Sequence, residues 1–389
     1  MSARRAAVLT AAYYAVVFAA LGAYVPYWPV WLEAWGLDRA DIGVLLSAAT
    51  VARIVGSTVI PALADRYGIR RWIISITAAA SAAMFLVHLA LDTRGLLLVV
   101  TLLLSVLMAP SVPLGEALGL RAVAGHGFAY APVRAAGSVG FLAANVGIGW
   151  ALDRVHPDLV IWVSAVCFLA LAVLGAMHPG GGSGADTDRA RYRETARLLV
   201  TPAFAVFALA LAMTQSSHVV FYVYSVLAWQ DQGLGGALIG WLWAFGVIAE
   251  MVLMLGPGRR IVARIGPAWS IAIGAGAAVL RWLAMAAAPG VVWLWPLMGL
   301  HAFTFALVHL GAMAFLAAAV PPRMAASGQG LVSGVAMGIT SASAVAAAGA
   351  IVRDDGISTA YLLAAGMAGT GLLAALAMRW VWAGQRLAR

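Results

Sequence analysis

Eight ionisable side chains stand inside apolar runs of this chain: Arg53, Glu116, Arg134, His218, Glu250, Arg281, His301 and His309. Glu250 is the clearest case, set in "GWLWAFGVIAEMVLMLG" (residues 240–256), a run long enough to cross most of a bilayer. A charge at the bilayer centre costs roughly 2.5–3.5 kcal/mol on insertion scales, so such groups normally face a bundle interior or wet cavity and have a partner. Low dielectric favours a protonated carboxyl, whereas a neighbouring arginine favours the carboxylate. Moving a guanidinium or an imidazole past Glu250 would therefore bind or release a proton, and Arg281, His301 and His309 are the groups that could do so. The competing reading is a static Glu250–Arg281 pair that fixes helix packing. His301 and His309 in "HAFTFALVH" lack the i, i+4 spacing of a helical metal pair. No metal and no cofactor are expected, the proton being the coupling ion. A membrane redox enzyme built on these histidines would lack further ligands and any cofactor motif, so no enzyme is expected.

The elements that hold these residues follow from composition. Of 389 residues, 63% are hydrophobic and 10% charged, and apolar runs of about 20 residues recur along the chain. This predicts an all-α membrane protein. Its 24 basic residues are all Arg, and their location carries more information than the net charge of +9, which is no nucleic-acid signature here. Cys167 is the single cysteine, so it forms no disulfide within the chain. Breaks at charged, Gly and Pro clusters give about twelve spans: roughly 8–32, 42–64, 72–91, 95–118, 133–152, 159–177, 203–227, 236–256, 268–288, 291–318, 327–350 and 358–382. Arg4 and Arg5 precede the first, read as an uncleaved helix. Arg-rich connections alternate with Arg-poor ones, which places both termini in the cytoplasm. The polar interval 179–201 divides the chain into bundles at 1–178 and 202–389.

The two halves repeat each other. At an offset of 197, "GLDRADIGVLLSAATVARIVG" from Gly36 lies over "GLGGALIGWLWAFGVIAEMVL" from Gly233, and the match continues to Trp72 over Trp269. Arg53 then lies over Glu250. Two pseudo-symmetric six-helix bundles related by an axis along the membrane normal form the architecture of a rocking secondary transporter.

Depth suggests partners. At 1.5 Å per residue, Glu250 sits about 6 Å to the cytoplasmic side of its helix midpoint, and Arg281 about 4–5 Å to the outer side of its own. His301 falls about 6 Å above the middle of the tenth span and His309 about 6 Å below. His309 is thus expected near Glu250, and His301 near Arg281. Glu116 and Arg134 each lie nine residues from Gly125, the expected apex between helices 4 and 5, and would meet as a pair. Arg53 has no midspan acid beside it in the sequence, and an excess buried cation suits a substrate carboxylate. Tyr14, Gln215, His218 and Tyr222 supply mid-span polar and aromatic groups for a flat ligand. Trp28, Trp31 and Trp229, near span ends, are assigned to an interfacial belt.

With these residues placed, the chain resembles the major facilitator superfamily, and specifically its phenylpropionate permease-like branch near the lactose permease-like proton symporters. The strings carrying the likeness are "PYWPVWL", "VARIVGS", "VPLGEAL" then "VRAAGSVGF", "IGWLWAFGVIAE", "LRWLAM" and "LHAFTFALVHLGAM", in that order. "PALADRYGIRRW" resembles the family's loop between helices 2 and 3, which implies a cytoplasmic gate at Asp65, Arg66, Gly68, Arg70 and Arg71; it departs at Pro61 and by the additional Ile69. The resemblance implies a proton-coupling cluster of Glu250, Arg281 and His309 or His301, but the second acid usual after the helix-10 histidine is missing here. Glu116 and Arg134 resemble the sugar-binding pair of that group in type.

The expectation is a bacterial inner-membrane transporter, working as a monomer with membrane lipid, protons and a small-molecule substrate as partners. It would import an aromatic carboxylate by proton symport, with Arg53, Glu116 and Arg134 on the substrate. A sugar or nucleoside symporter and a drug-exporting antiporter are the alternatives.

Overall fold

The computed structural model describes residues 1–181, 198, 200–321 and 324–387, so most of the interval 179–201 lies outside the described residues. Among the described residues there is no β-strand, and eleven helices are long and apolar enough to span a membrane. They are α1 (Ala3–Ala34), α2 (Arg39–Tyr67), α3 (Arg70–His88), α4 (Arg94–His126), α5 (Tyr130–Leu152), α6 (Leu159–Ala176), α7 (Pro202–Asp231), α8 (Gly236–Leu255), α9 (Gly258–Ala286), α10 (Val291–Ala319) and the 45-residue Met337–Val381. The last is two spans. Gly356, at φ 82° and ψ 173°, leaves the helical region and divides it into α11 (337–355) and α12 (357–381), which accounts for the twelve spans read from the sequence. Gly266 does the same in α9, at φ 80° and ψ 169°, detaching the Arg-rich segment 258–265 from the apolar arm that carries Arg281.

The chain forms two compact units: Met1–Leu37, Ala48–Asp186 and Ser225–Trp241 in the first; Asp38–Ser47, Thr187–Tyr224 and Leu242–Arg389 in the second. In the first, α1 packs along α5 and α6, and α3 along α6. Small residues permit the close approach of α1 and α5: a Cβ on Gly140 would stand 2.0 Å from the Ala15 carbonyl oxygen, and one on Gly22 2.5 Å from that of Phe141. Trp28 is stacked between Tyr24 and Trp31, at 5.1 and 5.0 Å between ring centroids. Trp31 donates to the Asp158 carboxylate at 2.8 Å. The expected interfacial belt is corrected here: Trp28, Trp31 and Trp229 are 1–2% exposed, and ring stacking holds Trp28 and Trp31 inside. Asp153 in this unit accepts from the backbone N–H groups of Gly236 and Ala237 at 2.6 and 3.3 Å, and so caps the start of α8.

In the second unit, α9 and α7 both pack on the long helix formed by α11 and α12. Its core includes Phe207 stacked on Phe315 at 4.1 Å, with Ile271, Val308 and Met378 around them. The α10 helix is not uniform. Residues Ala302–Leu307 form a π-helical turn between His301 and the α-helical Val308–Ala319.

Candidate functional site

Each unit holds one cluster of the ionisable residues. In the first, Pro110 interrupts α4, and the following segment Ser111–His126 carries Glu116. Its carboxylate takes three donors: Tyr14 Oη at 2.9 Å, Arg134 Nε at 2.7 Å, and Tyr130 Oη. The paired Glu116 and Arg134 side chains are each about 30% exposed, at 29% and 31%. The Arg134 guanidinium stands 4.2 Å from the centre of the Phe18 ring and 5.3 Å from that of Tyr14. Glycines give these rings their places: a Cβ on Gly119 would come within 2.3 Å of Tyr14 Oη, and one on Gly115 within 2.3 Å of Tyr13 Cε1. The turn between α4 and α5 is at Gly127, with φ 72°, rather than at Gly125. With the turn there, Glu116 lies eleven residues before it and Arg134 seven after it, so their heights differ, and the long side chains close the gap. Arg53 is not part of this cluster. It is exposed on α2, with its guanidinium within electrostatic reach of the Tyr24 hydroxyl.

The second cluster centres on Arg281, which is wholly buried. Its Nη1 donates to His301 Nδ1 at 3.2 Å and to Thr304 Oγ1 at 3.4 Å, and Nη2 faces Met298 Sδ at 3.3 Å. The guanidinium lies 4.6 Å from the Trp282 ring centre and 5.0 Å from that of Phe221. Desolvated cation–π contacts of this kind contribute about 2 kcal/mol each. His301 Nε2 in turn stands 3.6 Å from Glu250 Oε2, a carboxylate about one-fifth exposed at 19%. His218 places Nδ1 against the carbonyls of Thr214 and Gln215, both at 3.2 Å, and Nε2 against Thr304 Oγ1 at 3.0 Å.

The donors and acceptors give this network a direction. A guanidinium only donates, so His301 Nδ1 accepts and the ring proton sits on Nε2, facing Glu250. Backbone carbonyls only accept, so His218 carries its proton on Nδ1 and Nε2 accepts from Thr304. Glu250 thereby connects through one imidazole to a buried cation.

The structure thus brings together Glu250, Arg281 and His301 as one set, with His218 alongside, and Glu116, Arg134 and Tyr14 as another. It corrects the expected place of His309: His301 occupies both positions, against Arg281 and against Glu250, and His309 makes no hydrogen bond or ion pair among the described residues. Counting depth at a constant α-helical rise failed because the π turn lies between the two histidines. Gln215 is buried with Oε1 lacking a partner among the described residues. Tyr222 packs on His218 and Trp243, at 5.9 and 5.8 Å. Sequence reasoning missed Tyr130, Thr304, Met298, Phe221, Trp243 and Trp282 as members of these clusters. The available signal was that Trp243 and Trp282 lie inside their spans, away from the interface.

In the loop between α2 and α3, Asp65 pairs with Arg70 Nε, and Gly68 takes φ 66° to turn the chain. Arg66 is exposed, its guanidinium over the Tyr67 ring at 5.6 Å. Arg71 lies over Trp72 at 5.3 Å.

Comparison with known proteins agrees with the fold. Residues 8–363 match the MFS_1-like family. The chain is 29% identical over 320 residues to the "Probable 3-phenylpropionic acid transporter" of Escherichia coli (strain K12), covering 78% of this chain and 80% of that one. It is 27% identical over 361 residues to "Maltose permease" of Geobacillus stearothermophilus, covering 90% and 89%. The crystal structure of the nucleoside transporter NupG superposes with a TM-score of 0.81 at 16% identity, over 97% of this chain and 98% of that one, and supports the shared fold.

Proposed function

The chain belongs to the MFS_1-like family, and from that premise we propose that this membrane transporter is a proton symporter importing an aromatic carboxylate across the bacterial inner membrane, with both termini in the cytoplasm. The observation that carries the reading is the connection of Glu250 through His301 to the buried Arg281. With Glu250 ionised, the imidazole N–H faces a carboxylate. Once Glu250 takes up a proton from the outside, that attraction is lost and the Arg281 cation becomes the dominant charge of the cluster, so proton binding and side-chain arrangement are coupled. Coupling to transport requires that substrate bind one arrangement better than the other.

The substrate anion belongs with Arg134. Glu116 engages its Nε, which leaves the outer guanidinium edge for a second carboxylate, while Phe18 and Tyr14 offer ring faces to an aromatic body. The relative described as a probable 3-phenylpropionic acid transporter supports this substrate class. A sugar reading has one observation in its favour: Glu116, fed by two tyrosine hydroxyls, could exchange those donors for substrate hydroxyls.

The test is uptake into proteoliposomes of a panel of aromatic acids, sugars and nucleosides under an imposed pH gradient. Accumulation of the acids alone supports the proposal; absence of any gradient-driven accumulation ends it. Glu250→Gln should abolish gradient-driven uptake and keep substrate exchange, whereas equal loss of both would assign Glu250 to packing or binding.

A further inference from the structure

A cavity of about 170 Å3 opens at the start of α3, lined by none of the ionisable residues of the two clusters. Three guanidinium-bearing residues line it, Arg70, Arg71 and Arg121, with Trp72, Leu118 and Gly181 completing the wall, and no carboxylate lines it among the described residues. Arg70 is answered by Asp65 just outside. Arg71 has no ion-pair partner among the described residues; its guanidinium is steadied by the Trp72 ring at 5.3 Å, and its Cδ would lie 3.1 Å from a Cβ on Gly181.

The backbone adds to the same field. The 19-residue α3 begins at this cavity, its N-cap Ile69 supplies no side-chain hydrogen bond, and no acidic residue stands in its first turn. Free N–H groups and the positive end of the helix dipole therefore face the space that the arginines surround. Ile69 and Trp72 on the rim are exposed, at 39% and 52%, and so is the neighbouring Tyr67, the composition of a segment lying at headgroup depth.

We propose that this cavity binds one phosphate group, presented by an anionic phospholipid headgroup or by a soluble phosphate. Guanidinium pairs and backbone N–H groups match phosphate oxygens, and the shallow rim suits a group arriving from the membrane surface. The site is independent of the transport reading: it requires neither proton coupling nor any particular substrate.

The test uses the full-length protein, delipidated in detergent and followed by native mass spectrometry and by thermal unfolding. Dioleoylphosphatidylglycerol, dioleoylphosphatidylcholine and inorganic phosphate are added in separate arms. Expected is one retained phosphatidylglycerol under conditions that strip phosphatidylcholine, with retention falling about fivefold for each of Arg71→Gln and Arg121→Gln. Gly181→Asp removes no arginine and places a carboxylate on the exposed rim; it should weaken retention as well, and it keeps the proposal testable if the arginine variants fold poorly. Preferential phosphatidylglycerol retention identifies the lipid as the source. Thermal stabilisation by inorganic phosphate without any lipid preference, lost in Gly181→Asp, identifies a soluble phosphate. The proposal is overturned if phosphatidylglycerol and phosphatidylcholine are retained alike and phosphate leaves the unfolding temperature unchanged, or if Gly181→Asp binds as the unaltered chain does.

Discussion

Arg281 Nη1 and His301 Nδ1 stand 3.2 Å apart in a wholly buried setting, and that single contact determines which nitrogen of the imidazole is free to face Glu250. An arginine can only donate, so the contact survives only while His301 Nδ1 is unprotonated. His301→Gln keeps a hydrogen-bonding side chain but loses the ring's paired geometry. Gradient-driven uptake in proteoliposomes should fall at least about tenfold, with exchange less affected. Unchanged driven uptake would remove His301 from the coupling set.

Thr304 is the branch point between His218 and Arg281. Thr304→Val preserves shape and deletes the hydroxyl, leaving His218 Nε2 without its donor and Arg281 Nη1 without one acceptor. The cost should be about 1–3 kcal/mol, read as a lower unfolding temperature in detergent.

Gly119→Ala drives a methyl into the place of Tyr14 Oη, 2.3 Å from the ideal Cβ position. Tyr14 must leave Glu116. Substrate affinity should drop about as much as in Tyr14→Phe, which removes the same hydrogen bond without crowding, and the double variant should lose little more. Fully additive losses, measured by substrate binding, would show that the two changes act on different groups.

His178, beyond the end of α6, is 1% exposed, and burial pushes its pKa down to about 4. Its Nδ1 accepts from the Gly180 N–H at 3.2 Å, which fixes the neutral ring. The unfolded chain takes up this proton below about 6.5 and the folded one only near 4, so the contribution is whole above about 6.5 and is lost as pH falls towards 4, at up to about 1.4 kcal/mol per pH unit. His178→Gln should flatten that part of the unfolding-temperature profile.

The spans were legible because bilayer thickness forces apolar runs of one length, and the Glu116–Arg134 pair because helices joined by a short turn are antiparallel neighbours, close enough for two long side chains to meet. What was not legible has local physical causes. Gly356 looks like any glycine in a glycine-rich chain, yet its positive φ separates two spans within one continuous helical run. Tyr130 reaches Glu116 from the first residue of α5, a place where tyrosine reads as an interfacial anchor. The position of His309 was misjudged because sequence periodicity assumes a single helical pitch, and α10 has two.

That double pitch gives α10 two phases. Its N-terminal stretch is clocked to the polar network through Met298 and His301, and its C-terminal stretch to the small-residue face of α9, where Gly274 leaves no room for a side chain beside Val308. The turn Ala302–Leu307 is the joint between them, holding one residue more than an α-helical turn would. Removing a single residue there would merge the two phases, and the helix could then satisfy its packing or its hydrogen bonds to Arg281, but not both.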